Sequence, residues 1–263
     1  MKRFDGRKPE QLRKIKVTKN FLNHPIASVL IEVGGTKVIC SVALETGVPP
    51  WMRAQNVPGG WVTSEYGMLP SSTQDRMRRE ATQGKQGGRT MEIQRLIGRS
   101  FRSVIDLRAL GTNTIYIDCD VIDADGGTRC ASICGASIAL QMAFQRMIDE
   151  KRISVSPMRE SVAAVSVGIL KGEPLLDLCY EEDSAAEVDM NVVMTESGKF
   201  VEVQGTAEEN PFSKEELDKM LLLAKNGLDE IFQIQKNALG TEAKKAPDGK
   251  FGNLGELLNE VKL

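Results

Sequence analysis

Residues 122–134 read IDADGGTRCASIC, a strand running into a glycine pair and then into a helix. Gly126 and Gly127 let the backbone take positive φ angles, and Thr128 and Arg129 add a hydroxyl and a guanidinium. The helix that follows opens with N–H groups that have no partner within it, an arrangement suited to an anion. The same residues also suit a tight turn carrying a surface arginine, and this stretch alone does not separate the two readings.

Outward from this junction the pattern is regular. Upstream, Ile115, Ile117, Cys119 and Val121 alternate with Tyr116, Asp118 and Asp120, the mark of a half-buried strand. Downstream, Ile133, Ala136, Leu140, Ala143, Phe144 and Met147 trace the buried side of a helix reaching about Asp149. Between 161 and 205 the runs SVAAVSVGIL, PLLDLCY, VDMNVVM and KFVEVQG predict a second sheet. Ser213 and Glu216 then form a capping box ahead of the stripe Leu217, Met220, Leu221, Ala224, Leu228, Ile231 and Phe232. The expected fold is therefore α/β of the α+β type: two similar strand-then-helix units, with mixed sheets packed against helices. We expect one domain over 1–240, with halves at about 1–155 and 156–240, and an extension over 241–263. In that extension Leu254, Leu257, Leu258 and Val261 allow a short helix.

Residues 1–25 are charged and irregular and predict a solvated arm, whereas Ile26–Leu44 reads as two strands turning at Gly34–Gly35. Prolines 49, 50, 58 and 70 predict a long, partly ordered loop over 47–72, in which Trp51, Trp61 and Tyr66 could stack on bases, although such residues more often anchor a loop to the core or to a partner subunit. From Arg76 to Arg102, eight basic residues face only Glu80 and Glu92. Here Ile93, Leu96, Ile97 and Phe101 form a packing stripe, while Arg95, Arg99 and Arg102 occupy the other face. In a chain with formal net charge −2, this is a local basic surface suited to a polyanion.

Composition removes several classes. The five cysteines lack CxxC spacing and His24 is the only histidine, which argues against tetrahedral zinc and His-based nucleophilic catalysis and favours reduced, packed thiols. No run is apolar enough for a membrane span, no signal peptide is evident, and a cytoplasmic protein without membrane contact is expected. GKQGGRT lacks the spacing of a Walker loop, and DADGG lacks the ligands of a calcium loop. Asp189 opens the otherwise apolar strand VDMNVVM, six residues after Asp183. A magnesium ion, a proton-transfer role or a solvated acidic turn would each account for these acids.

Four segments in this order, GKQGGRT-x-EIQRLIGRS at 84–100, DVIDADGGTR-x-ASI at 120–133, YEEDSAAEVDMNVV at 180–193 and VEVQGTAE at 201–208, make the chain resemble the bacterial ribonuclease PH family from about Arg3 to Leu239. The resemblance implies a phosphate-dependent 3′-to-5′ exoribonuclease that trims transfer RNA precursors and releases nucleoside diphosphates. It also implies a homohexamer built as a trimer of dimers, and a fold shared with polynucleotide phosphorylase and the archaeal exosome. By it, Arg89, Gly127, Thr128 and Arg129 bind inorganic phosphate, and Asp183 and Asp189 are catalytic and hold Mg2+. Arg76 and Arg79 match the family's transfer RNA-binding region, and Arg95 and Arg99 extend that basic face. Many relatives carry an arginine where this chain has Ser71, directly after Pro70. The alternative is a non-catalytic RNA-binding ring subunit, for which the arginine and aspartate sites together would be superfluous.

Overall fold

The computed structural model describes residues 3–208 and 210–243. The elements are β1 (Ile15–Lys19), β2 (Ala27–Val33), β3 (Thr36–Thr46), α1 (Pro50–Ala54), β4 (Trp61–Met68), α2 (Glu80–Gln83), α3 (Gly88–Arg102), β5 (Asn113–Asp123) and α4 (Thr128–Asp149). They continue with β6 (Val162–Leu170), β7 (Glu173–Leu176), α5 (Tyr180–Asp183), β8 (Val188–Thr195), β9 (Phe200–Ala207) and α6 (Lys214–Ala243). The first sheet runs β1-β2-β3-β5-β4 and is mixed, because β4 pairs parallel to β5. The second runs β7-β6-β8-β9 and is antiparallel throughout. The terminal-helix reading of Leu254, Leu257, Leu258 and Val261 lies outside the described residues.

Helix α4 sits between the sheets, against β2, β3 and β5 on one side and β6 and α6 on the other. Its expected stripe widens accordingly: Cys130 to Leu140 is buried on every face. A helix that is apolar and small-sided all round belongs inside a protein. Helix α3 packs on β4 and α4, and α6 covers β6 and β7. The capping box is present, with Ser213 N–H donating to Glu216 Oε2 at 2.7 Å and Glu216 N–H donating to Ser213 Oγ at 3.2 Å.

Two expectations are overturned. The 47–72 segment contains a regular strand, β4, whose Val62, Ser64 and Tyr66 are buried in alternation beside β5. Trp51 and Trp61 meet edge to face at 5.1 Å, and the Arg102 guanidinium lies 4.8 Å over the Trp61 ring. The N-terminal arm is neither wholly irregular nor wholly solvated: it contains β1, and Arg3, Leu12 and Arg13 are buried between exposed neighbours. Arg3 is 1% exposed, donating through Nε and Nη2 to Glu182 at 2.7 and 2.6 Å and through Nη1 to Leu176 O at 2.8 Å. Arg13 is clamped on Asp177, its Nη2 2.7 Å from Oδ1. Arg3→Ala leaves the buried Glu182 carboxylate with only Arg7 at 3.6 Å and the Cys179 N–H at 3.1 Å, and should cost about 3 kcal/mol in denaturant unfolding.

Candidate active site

The junction at 122–134 is built as a cradle. Gly126 and Gly127 both adopt the left-handed region, at φ 73 and 64. A side chain at Gly126 would lie 2.7 Å from Leu178 O and 2.8 Å from Tyr180 N, so this glycine presses the loop against the turn leading into α5. Other groups brace the same loop. Thr36 Oγ1 accepts from Asp125 N–H at 2.8 Å and donates to Gly126 O at 2.6 Å; Asp125 Oδ1 accepts from Tyr180 N–H at 3.2 Å. Arg13 Nη1 donates to Asp125 O, joining the N-terminal segment to the loop. Gly126→Ala should push the loop and the α5 turn apart, costing about 1–3 kcal/mol of stability and lowering turnover; denaturation and steady-state rates check both.

Helix α4 begins directly after Gly127 with no side-chain cap, so its first N–H groups are left for a ligand. Arg89, on the first turn of α3, reaches across to this point. Its Nη2 lies 3.4 Å from Thr128 Oγ1 and its Nη1 3.4 Å from Tyr66 Oη, while the Tyr66 and Thr128 hydroxyls are 2.9 Å apart. Arg129 Nη1 donates to Gln204 Oε1 at 2.9 Å. Two guanidiniums, a hydroxyl and a helix start thus converge on one place. Such an arrangement has the chemistry to hold an anion.

The aspartates sit across the loop. Asp183 ends α5, and Asp189 is the second residue of β8, paired with Gly168 on β6 and Thr206 on β9. Asp189 Oδ1 is buried without a hydrogen-bond partner among the described residues. Burial and the Asp183 charge push the Asp189 carboxyl up to about 6, against the pull of Arg129. Burial also raises Asp183, opposed by Arg129, Arg89 and Arg13. Both acids therefore lie in the field of Arg129, and Asp183 also feels Arg89 of α3. Among the described residues no group of three His, Cys, Asp or Glu side chains is placed to hold a metal. A pair of carboxylates with a buried, unsatisfied oxygen still fits magnesium, which keeps waters and substrate oxygens among its ligands.

Of the remaining expected residues, Arg76, Arg79 and Arg95 are exposed, outside this cluster, and Arg99 is paired with Glu202. Cys130 and Cys134 are buried packing thiols; Cys130 donates to Asn191 Oδ1 at 3.2 Å, and burial pushes Cys134 up to about 12. Sequence reasoning missed Tyr66, Thr36, Arg13 and Gln204. Tyr66 was read only as an anchor of the 47–72 segment, and Gln204 lay unremarked within VEVQGTAE at 201–208.

Residues 11–144 match the model of the 3′ exoribonuclease family, domain 1, and residues 160–227 match domain 2 of the same family. The chain belongs to the ribonuclease PH family. It is 58% identical over 234 residues to the ribonuclease PH of Neisseria meningitidis serogroup C, a match covering 89% of this chain and 96% of that one. A serogroup B counterpart is 57% identical over the same length. Among solved structures, rice (Oryza sativa) Rrp46 superposes with TM-score 0.74 at 20% identity, covering 90% of this chain and all of that one. An Archaeoglobus fulgidus exosome chain, from a complex with RNA bound to the active site, gives 0.75 at 20% identity over 88% and 92% of the two chains. At these identities the structural likeness carries the fold, and the ribonuclease PH relatives carry the family.

Proposed function

We propose that the chain is a phosphate-dependent 3′-to-5′ exoribonuclease that trims the 3′ ends of transfer RNA precursors. The observation that carries this reading is the meeting of Arg89, Thr128 and Arg129 at the open start of α4, with Asp183 and Asp189 facing them. Inorganic phosphate bound there attacks the terminal phosphodiester. The bond to the 3′-oxygen of the preceding ribose breaks, and one nucleoside diphosphate leaves. A phosphate ester is exchanged for a diphosphate, so the reaction runs in both directions.

The two arginines and the helix start offset the repulsion between phosphate and RNA; each charge-assisted hydrogen bond supplies roughly 1.5–3 kcal/mol. Tyr66 fixes the Thr128 hydroxyl beside them. Asp183 and Asp189 would hold a magnesium ion, which when bound supplies positive charge against the phosphodiester and departing oxygens. Without the ion, the Asp189 carboxyl, raised to about 6, is instead able to hold a proton just below neutral pH. The exposed Arg76, Arg79 and Arg95, together with Arg99, form the RNA-gripping surface.

In this reading the protein works in the cytoplasm as a hexameric ring, a trimer of dimers. Its free, buried cysteines and the open edge strand β9, with exposed Phe200 and Val203, are compatible with that; no helix among the described residues is long and apolar enough to cross a membrane. A non-catalytic ring subunit would not need the arginines and aspartates in one place. The test is incubation with a 3′-extended transfer RNA and magnesium, with and without phosphate. Nucleoside diphosphates formed only with phosphate are expected; monophosphates formed without it would mean hydrolysis.

A further inference from the structure

Arg129 does not stand alone. Its Nη1 donates to Gln204 Oε1 at 2.9 Å, and Gln204 Nε2 donates to Glu92 Oε1 at 2.6 Å, with that same carboxylate oxygen 3.9 Å from Arg129 Nη1. Glu92 lies three residues after Arg89 on α3, and Gln204 lies on β9, opposite Asn191 of β8. Gln204 thus ties the helix that bears Arg89 to the arginine that begins α4. Two residues earlier on β9, Glu202 pairs with Arg99 of α3, a second tie between the same two elements.

We propose that Gln204 is a positioning residue that sets the two phosphate-facing arginines relative to each other. This rests on the phosphate-site reading above. The chemistry of the side chain suits the task. An amide is both acceptor and donor, so one group can orient a guanidinium and engage a carboxylate at once. Being neutral, it orients Arg129 without cancelling the charge that an incoming phosphate needs; a carboxylate in direct contact would cancel it. The negative charge of Glu92 is held at the longer distance, on the far side of the amide.

The experiment is steady-state phosphorolysis of a 3′-extended transfer RNA by Gln204→Ala, Gln204→Glu and the exchange pair Gln204→Glu/Glu92→Gln, with phosphate and RNA varied separately. Gln204→Ala should raise the KM for phosphate roughly tenfold, the scale of one lost hydrogen bond to a charged group, with the KM for RNA and the melting temperature nearly unchanged. Gln204→Glu should be worse than Gln204→Ala, because it places two carboxylates together and one against Arg129. The exchange pair restores a donor–acceptor chain and should recover part of the loss relative to Gln204→Glu. An unchanged KM for phosphate in Gln204→Ala, or one that rises only in step with the KM for RNA, would overturn the proposal. Failure of the underlying phosphate-site reading looks different: the unaltered enzyme itself would show no phosphate dependence.

Discussion

Asp189→Asn abolishes phosphorolysis while leaving RNA bound, with a loss in kcat of roughly a thousandfold or more, as expected when an essential acid-base or ion-holding group is removed. The same substitution makes the folded protein more stable. In the folded state the Asp189 carboxyl is raised from its ordinary 3.8 to about 6, first by burial and then by the neighbouring Asp183 charge. A carboxyl raised in this way favours folding below pH 3.8, where it is protonated in both states. That contribution is lost as pH rises through about 6, because the folded state must then hold a charge it disfavours. Asparagine removes this cost. In magnesium-free buffer, denaturant unfolding at pH 8 should show Asp189→Asn more stable by about 1–3 kcal/mol, with the gap narrowing at pH 5. An active site that holds charge at the expense of the fold is a common trade between stability and function. If the variant kept a near-normal rate, Asp189 would have no part in the chemistry.

Arg89→Ala should raise the KM for phosphate by roughly a hundredfold, the effect of losing a charge-assisted contact to an anion in a partly buried site. Arg89 is exposed and makes only long contacts, 3.4 Å to Thr128 Oγ1 and 3.4 Å to Tyr66 Oη, so its loss should leave the fold intact. RNA affinity measured without phosphate should change little. Equal losses for phosphate and RNA would instead place Arg89 on the RNA path.

Much of the fold was legible because its signals are local. The strand-loop-helix at 122–134, the β2–β3 turn and the Ser213–Glu216 box each rest on residues a few positions apart. What was not legible depends on distant partners. Arg3 reads as a solvated charge until Glu182, 179 positions away, buries it. The proline and glycine density of 47–72 hides β4, which exists because β5 offers a parallel edge for Val62, Ser64 and Tyr66 to pack beside. For the site, Arg89 meets Thr128 at the α4 start beside Tyr66, whose hydroxyl reaches Thr128 across 62 positions. Gln204 faces Arg129 across 75 positions, and nothing in the sequence around it announces the contact.

We propose above that free phosphate, held at the start of α4, is the attacking reagent. The most direct measurement is degradation of a 3′-extended transfer RNA in radiolabelled orthophosphate, followed by identification of where the label resides in the released nucleotide. Label is expected in the β-phosphate of a nucleoside diphosphate, one labelled product for each nucleotide removed. Unlabelled nucleoside monophosphate as the product would contradict it.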